Sequence, residues 1–255
     1  MLSYRQNNSD IGIIDAYYRQ NNNDVKVPII VDSNGKIAHA SHVDNLAQMY
    51  RYNSELNTSS QLFDLIGNGN HGIISNAVFG QDGLEFNGVN SLVEYNGIIT
   101  PKYALGGTLA VEHFLSGTSY QPRFIDGTNN TYPGLYLRNT TNGAETDFAF
   151  ALWAQGKDQA LTNPRTSPPN GQLVHVIYMY DGTNFMLYVN GILRNTLPVT
   201  VQVASRLKNH IGGSLTTANR YLKGLVCSVL RFTRALTPQE VMHEFIIDKF
   251  EFNIP

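Results

Sequence analysis

Tyrosine, tryptophan, amide and acidic side chains occur together in the middle of the chain, and these residue types suit sugar binding. An aromatic ring packs against the apolar face of a sugar, while amides and carboxylates bond its hydroxyl groups. A structural role competes with this interpretation, because a strand-rich protein places most of its aromatic residues in its core and in cross-strand pairs. The candidates are Tyr120, Asp126, Asn129, Asn130, Tyr132, Tyr136 and Trp153.

Calcium binding is a second chemistry that some of these residues could support. Ca²⁺ takes oxygen ligands from acids, amides and carbonyls. Asp126 and Asn129, in the segment Asp-Gly-Thr-Asn-Asn, offer such oxygens, as does Asp82. The same residue types form ordinary turns, and a structural turn is the favoured interpretation. We therefore expect no cofactor, with Ca²⁺ left as the open alternative.

The histidine and cysteine residues predict no zinc site and no disulfide. The seven histidines include no His-x-x-x-His pair, which would place two ligands on one helix face. His175 lies in an alternating apolar stretch, so we expect it in the core or on a sheet face. Cys227 is the single cysteine, which excludes an intrachain disulfide. Its apolar neighbours predict a buried thiol.

Charge and hydropathy exclude several classes of partner. The net charge of −2 gives no electrostatic attraction for nucleic acid or for an anionic membrane. No apolar run is long enough for a membrane-spanning helix. The first ten residues also lack the basic and then apolar pattern of a signal peptide. We therefore expect synthesis in the cytoplasm without a signal peptide, and neither a nucleic acid nor a membrane as partner.

The stretch 172–191 predicts the central element of the fold, a β-hairpin. Apolar side chains alternate along QLVHVIYMY and along NFMLYV, on both sides of the turn sequence Asp-Gly-Thr-Asn. Asn190 and Gly191 mark a second turn. Because both faces of the hairpin are rich in apolar groups, we expect it inside a sheet with another layer packed on each side.

Other patterns predict further short strands and two helices. The first helix is predicted at 41–52, with Ser41 as N-cap and apolar residues at helical spacing. The second begins after Thr237, where Pro stands at N1 and Glu240 at N3 completes a capping box. Polar residues and prolines at 155–171 predict a long loop. Strands are predicted at 107–114, 123–126, 134–138, 147–154 and 222–233.

A repeat occupies the first 27 residues. The segment YRQNNSDI, which begins at Tyr4 and Arg5, recurs as YRQNNNDV from Tyr18 and Arg19. The segment has few residues with which to build a core of its own. We therefore expect an extended arm that docks on a neighbouring subunit through these four side chains, with a flexible tail as the alternative.

Five motifs in order resemble one family. Positions 62–247 are similar to the laminin-G-like branch of the concanavalin A-like lectin/glucanase superfamily. The resemblance rests on DLIGNGNHG at 64–72, LEFNGVNSLV at 84–93, the hairpin with YDG and LYVNG, NHIGG at 209–213 and RALTPQEV at 234–241.

The resemblance implies an all-β protein with a concanavalin A-like jelly-roll β-sandwich. We expect this sandwich at 61–255, with a short C-terminal helix, after an assembly segment at 1–60 that holds the arm and the first helix. Glucanases of this family carry Glu-x-Asp-x-x-Glu on one strand. The nearest stretch here has Glu145 and Asp147 but Phe150 at the third position, so we expect no enzyme.

The expected function is that of a non-catalytic structural or adhesive protein. The composition and architecture resemble decoration or fibre proteins on the virion surface of tailed bacteriophages. In this interpretation the arm binds other virion or homo-oligomeric subunits, and the sandwich faces outward, where it could contact a host glycan. The alternative is an extracellular carbohydrate-binding module or adhesin of a bacterial surface, and the third hypothesis is a glycoside hydrolase.

Overall fold

The structure is a computed structural model, and it describes most of the chain in separate stretches. Within these stretches the chain forms antiparallel strands and a single helix. The described residues are 3–6, 9–20, 23–31, 46–52, 57–66, 69–96, 101–112, 123–127, 134–139, 148–154, 157–160, 170–198, 209–214 and 220–255.

The first three strands form a sheet of their own. They are β1 (Ser3–Gln6), β2 (Ser9–Gln20) and β3 (Asn23–Val31), paired in the order β1-β2-β3. Gln6 faces Ser9 and Gln20 faces Asn23, with two Asn residues connecting the strands in each case. The repeated sequence therefore encodes the ends of two successive hairpins. The predicted assembly arm and its docking on another subunit stay a prediction.

The strands that follow make two larger antiparallel sheets, which are completed by a C-terminal helix. These elements are β4 (Leu46–Arg51), β5 (Gln61–Leu62), β6 (Gly72–Ser75), β7 (Val78–Phe79), β8 (Leu84–Asn87), β9 (Leu92–Tyr95), β10 (Tyr103–Val111), β11 (Arg123–Gly127), β12 (Gly134–Asn139), β13 (Phe148–Ala154), β14 (Lys157–Ala160), β15 (Leu173–Tyr180), β16 (Asn184–Val189), β17 (Ile192–Pro198), β18 (Asn209–Ile211), β19 (Lys223–Val226), β20 (Ser228–Phe232) and α1 (Pro238–Phe252).

The two larger sheets stack as a jelly-roll-like sandwich. The nine-stranded sheet has the order β17-β16-β15-β10-β19-β8-β7, with β20 on β10 and β4 on β20. The eight-stranded sheet has the order β14-β13-β12-β11-β18-β9-β6-β5. Leu109 and Val176 of the first sheet share one buried core with Val93 and Ile211 of the second. This agrees with the predicted fold class.

The central hairpin forms as predicted from β15 and β16. Val176 and Tyr178 pack in the sandwich core, whereas Ile177 and Met179 belong to a second core on the outer face of the nine-stranded sheet. The turn is closed by Asp181, whose Oδ1 accepts hydrogen bonds from the backbone N–H groups of Thr183 and Asn184 at 2.8 and 2.7 Å. Both faces of the hairpin are therefore buried, which explains its apolar composition.

The helix predicted at 41–52 is wrong where the structure describes it, because Leu46–Arg51 is strand β4. Pairing with β20 overrides the helical spacing of the apolar residues. Tyr50 points into the sandwich core and stacks edge-on against Tyr95, with ring centroids 5.5 Å apart. Met49 points the other way, into the second core. β4 belongs to the nine-stranded sheet although it precedes residue 61.

The loop predicted at 155–171 also needs correction. Lys157–Ala160 forms strand β14, which pairs with β13 at the edge of the eight-stranded sheet. The pattern KDQA has no apolar alternation, because an edge strand needs only backbone hydrogen bonds from its neighbour. Sequence periodicity therefore carries no signal for this strand.

Helix α1 begins with the predicted capping box. Glu240 N–H donates to Thr237 Oγ1 at 3.2 Å, and Thr237 N–H donates to Glu240 Oε2 at 2.7 Å. Arg234 donates to both carboxylate oxygens of Glu240, at 2.9 and 2.6 Å. The helix ends at Asn253, which adopts a left-handed φ of 53°. Within the described residues, no helix combines the length and hydropathy needed to cross a bilayer.

Asp248 ties α1 to the sheet beneath it. Its side chain is fully buried, and Oδ2 accepts hydrogen bonds from Thr108 Oγ1 at 2.7 Å and Ser228 Oγ at 2.6 Å. His175 Nε2 lies 3.9 Å from the same oxygen, so three neighbouring strands converge on one carboxylate. The burial of His175 agrees with the expectation of a core residue, and Cys227 is also buried as expected.

We expect Asp248→Ala to destabilise the protein by about 3–5 kcal/mol, because it removes the acceptor for two buried hydroxyl donors. Urea unfolding measures the change. Glu251→Ala, which truncates an exposed acid on the same helix, is the control and should change the free energy of unfolding by at most about 0.5 kcal/mol. Equal effects of the two substitutions would contradict the anchoring role of Asp248.

A second prediction concerns pH. The hydrogen bonds from Arg234 lower the pKa of Glu240 to about 2, from an ordinary value of 4.5. The carboxylate therefore stabilises the fold above pH 4.5, and this contribution is lost as the pH falls from 4.5 towards 2. Glu240→Gln should lower the free energy of unfolding by about 1 kcal/mol at pH 7. Near pH 2 the substitution should change it by nearly nothing. Urea unfolding of the unmodified protein and of Glu240→Gln between pH 2 and pH 7 tests the prediction. A difference in the free energy of unfolding that does not change with pH would refute it.

Candidate functional site

An open groove lies on the outer face of the nine-stranded sheet. Along β10 this face begins with Ala104, which belongs to the second core, and reaches Ala110 at the groove. The groove has a volume of about 740 Å³. It is lined by residues of β7, β8, β10, β15 and β19, and by residues that adjoin these strands. Five strands from separate parts of the chain thus contribute to one concave surface.

The floor of the groove is a row of side chains across the sheet. Val78 faces Glu85, Glu85 faces Leu225, Leu225 faces Ala110, and Ala110 faces Leu173. Residues directly opposite each other in antiparallel strands lie on the same face. Four of these five side chains are apolar, so the row offers an apolar surface with one carboxylate.

A second row beside it is polar. Asn87 faces Lys223, and the carbonyl of Lys223 accepts the N–H of Glu112 at 2.9 Å. Lys223 Nζ lies 2.8 Å from Glu112 Oε2, and both side chains are more than a third exposed. An exposed ion pair adds little stability. Its donors and acceptors are, however, open to a ligand in the groove.

Asn87 is held by the turn that follows β8. Its Oδ1 accepts three backbone N–H groups, those of Val89, Asn90 and Ser91, at 2.8, 3.0 and 3.2 Å. Its Nδ2 donates to Asn90 Oδ1 at 2.9 Å. The side-chain oxygens of Asn87 and Asn90 are thus both engaged within the turn. In the described part of the chain, no three His, Cys, Asp or Glu side chains form a group that could hold a metal ion.

Four of the predicted sugar-binding residues lie outside the described residues, and the other three lie on the eight-stranded sheet. Asp126 is in β11, Tyr136 in β12 and Trp153 in β13. Those outside the described residues are Tyr120, Asn129, Asn130 and Tyr132.

The three described positions lie on neighbouring strands of the eight-stranded sheet, β11, β12 and β13. The groove lies on the other sheet, the nine-stranded one.

A buried histidine lies in β18 of the same sheet, between β11 and β9. His210 faces Asp126 on one side and Glu94 on the other. Its Nε2 lies 3.5 Å from Glu94 Oε2, and the histidine is fully buried. At His210 this sheet is thus closed to solvent, whereas the groove is open. The described side chains favour the groove as the binding site.

The four arm residues lie on β1 and β2. By register, Tyr4 faces Ile11 and Arg5 faces Asp10. The second unit of the repeat has the same arrangement, with Tyr18 facing Val25 and Arg19 facing Asp24. An opposite charge thus stands across from each arginine in the sheet, and an aliphatic residue across from each tyrosine.

Sequence reasoning missed Glu85, Glu112 and Lys223. The one signal for Glu85 and Asn87 is the alternation in LEFN, in which apolar residues point to the core and polar residues outward. Nothing in the sequence places Lys223 between Asn87 and Glu112, because that depends on the pairing of distant strands.

Comparison with solved structures supports the sandwich fold. Domain 4 of AbnA, a GH43 extracellular arabinanase from Geobacillus stearothermophilus solved with arabinotriose, has a TM-score of 0.58 at 16% identity, over 78% of this chain and 97% of that domain. Trypanosoma rangeli sialidase in complex with sialic acid has a TM-score of 0.61 at 14% identity, over 95% of this chain but 43% of the sialidase chain.

A toxin domain has the same fold. The receptor binding domain of botulinum neurotoxin mosaic serotype C/D has a TM-score of 0.56 at 10% identity, over 80% of this chain and 51% of that one. The fold is thus shared by glycosidases and by binding domains. At these identities the likeness concerns the fold alone. No curated protein matches the sequence.

A family model matches the sequence itself and therefore shows more than a likeness of fold. The model Laminin_G_3, described as concanavalin A-like lectin/glucanases superfamily, matches residues 108–242, which is more than half of the chain. The match includes the central hairpin, β18 to β20 and the first residues of α1. The chain therefore belongs to the concanavalin A-like lectin/glucanases superfamily.

Proposed function

We propose that the sandwich is a non-catalytic carbohydrate-binding module whose site is the groove on the nine-stranded sheet. The observation that carries this proposal is the pair of adjacent rows in the groove. One row is mostly apolar, and the other presents Asn87, Lys223 and Glu112. Sugar rings have both an apolar face and a rim of hydroxyl groups, and the two rows offer a surface for each.

The dimensions of the groove suit a short oligosaccharide. Neighbouring strands lie about 4.8 Å apart, so the polar row extends over roughly 10 Å from β8 to the end of β10. Lys223 has three N–H donors, while Glu85 and Glu112 supply acceptors. The groove carries both kinds of hydrogen-bonding group, and hydroxyl groups can both donate and accept.

The state of the two groove carboxylates supports binding without catalysis. A glycosidase needs one carboxyl group that burial keeps protonated, beside a second that stays ionised. Glu85 and Glu112 are both exposed, and Glu112 is engaged by Lys223. Glu145 and Asp147 lie outside the described residues. We therefore infer that the chain binds a glycan and does not cleave it.

The solved relatives suggest which glycans to test first. The AbnA domain was solved with arabinotriose and the sialidase with sialic acid. Arabino-oligosaccharides and sialylated glycans are thus the first candidates for this chain, followed by a broad glycan array.

Lys223→Glu should weaken glycan binding at least about tenfold, because it replaces the donors of the polar row with a third carboxylate. Isothermal titration with the best glycan from the array measures the affinity. Lys102→Glu makes the same change of charge at an exposed lysine near the turn at Gly182, and it should leave the affinity unchanged. Unchanged affinity of Lys223→Glu would show that the glycan binds elsewhere. A protein that binds no glycan on the array would contradict the lectin function.

We also propose that residues 1–31 join the chain to further copies of itself, as in a virion decoration or fibre protein. The sheet β1-β2-β3 pairs with no other described strand. Ile14, Ala16 and Tyr18 occupy one face of β2, and register adds Val27 and Ile29 from β3 to that face. A sheet of three strands needs a covered apolar face to be stable. A second copy of the same face is self-complementary and supplies that cover.

Removal of residues 1–31 should abolish self-association and leave the sandwich folded. Light scattering after size exclusion gives the mass, and thermal unfolding reports the sandwich. Ile14→Asp places a charge on the apolar face and should also reduce the mass. Lys26→Ser, on the opposite face by register, is the control and should not. A full-length protein that is monomeric at all concentrations would contradict the proposed assembly.

A further inference from the structure

The charged side chains that line the groove do not balance one another. They are the carboxylates of Glu85 and Glu112 and the ammonium group of Lys223. Lys223 Nζ lies 2.8 Å from Glu112 Oε2, so the one cation among the lining residues is already paired. Two carboxylates and one ammonium group leave a net charge of −1 on the lining. That charge belongs to Glu85.

The carboxylate of Glu85 lies away from the ion pair of the groove. A Cβ atom at Gly80 would collide with Glu85 Oε1, so the side chain leans over the backbone of Gly80. The N–H of Gly80 donates to the carbonyl of Gly83 at 2.8 Å, which places the carboxylate beside the turn that precedes β8. Lys223 lies in the other direction, because it faces Asn87, two residues further along β8. The two rows of the groove are thus roughly 7 Å apart along the strand.

Apolar side chains flank the Glu85 carboxylate on both neighbouring strands. Val78 of β7 and Leu225 of β19 face Glu85 directly, and Val78 is 68% exposed. Among the residues that the structure describes, no cationic side chain lies within ion-pair distance of Glu85. The amide of Asn87, the next residue on the same face, donates to Asn90 Oδ1 at 2.9 Å. An exposed carboxylate therefore stands in an apolar surface with its acceptor oxygens open to a ligand.

We propose that the groove selects glycans whose sugar rings carry a free amino group, a selectivity that rests on the proposed function of the groove as a glycan site. The ring of an amino sugar packs on Val78 and Leu225, while its ammonium group donates to the Glu85 carboxylate. Such a pair adds the attraction of two opposite charges to the hydrogen bond that a hydroxyl group would form. An acidic sugar such as sialic acid is disfavoured, because Lys223 is shared with Glu112 and the lining is negative.

Two oligosaccharides of equal length test this selectivity. Oligomers of glucosamine carry an ammonium group on each ring at mildly acidic pH, whereas oligomers of N-acetylglucosamine have the same backbone and no charge. Isothermal titration of the full chain should give an affinity at least about tenfold higher for the glucosamine oligomer. The preference should shrink as sodium chloride is added, because salt screens the attraction between exposed charges.

Glu85→Gln keeps the size of the side chain and removes its charge. This substitution should lower the affinity for the glucosamine oligomer about tenfold and leave the affinity for the N-acetylated oligomer unchanged. Glu251→Gln makes the same change at an exposed acid of α1 that does not line the groove, and it should retain the full preference. Because both substitutions are at exposed positions, both variants should unfold at the temperature of the unmodified protein.

The possible outcomes separate the selectivity from glycan binding itself. Equal affinities of the unmodified protein for the two oligomers, or a preference that survives Glu85→Gln, would overturn the selectivity. Binding of arabino-oligosaccharides or sialylated glycans alone would also overturn it, but would leave the groove as a glycan site. A protein that binds no glycan would contradict the proposed function, and the selectivity with it.

Discussion

Burial of both faces of the hairpin β15–β16 is the constraint on which the rest of the structure depends. One face belongs to the sandwich core and the other needs a separate cover. Helix α1 provides part of it, since Val241 belongs to the second core. The helix begins at the capping box of Thr237 and Glu240 and is held by Asp248. Where that second core ends, the outer face changes from apolar to mixed residues, and the groove begins there.

Asp248 of α1 and Arg231 of β20 are both buried but have different partners. Asp248 lies under the helix and receives hydroxyl donors from Thr108 and Ser228, so its charge is stabilised by groups of the protein itself. Arg231 lies on the other side of the sheet and has a single amide acceptor from Gln48.

Local signals in the sequence were sufficient for the elements but not for their pairing. The hairpin and the capping box were predicted because their alternation, turn residues and caps lie within a few positions of one another. The helix at 41–52 failed because Gln48, Met49 and Tyr50 suit either period, and the partner strand β20 lies about 180 positions away. β14 was missed because a polar edge strand has no periodic pattern.

The candidate site was even harder to predict from local sequence signals than the individual strands. Family motifs predicted the sandwich, and the alternation in LEFN is the one local signal for an outward-facing Glu85. The groove, however, arises where β8, β19, β10 and β15 lie side by side, and their order in the sheet is not their order in the chain. The aromatic and amide residues that looked suited to sugar binding are neighbours in sequence. Three of them lie on the eight-stranded sheet, whereas Lys223 lies on the nine-stranded sheet, so proximity along the chain was a poor guide to the position of the groove.

The N-terminal repeat shows how topology changes the meaning of a sequence pattern. Two similar segments suggest two equivalent contacts placed side by side. In the structure they are the ends of consecutive hairpins, and consecutive antiparallel hairpins turn at opposite ends of a sheet. β2 has 12 residues, so the two ends lie roughly 40 Å apart. If both ends contact neighbours, those neighbours stand on opposite sides of the sheet.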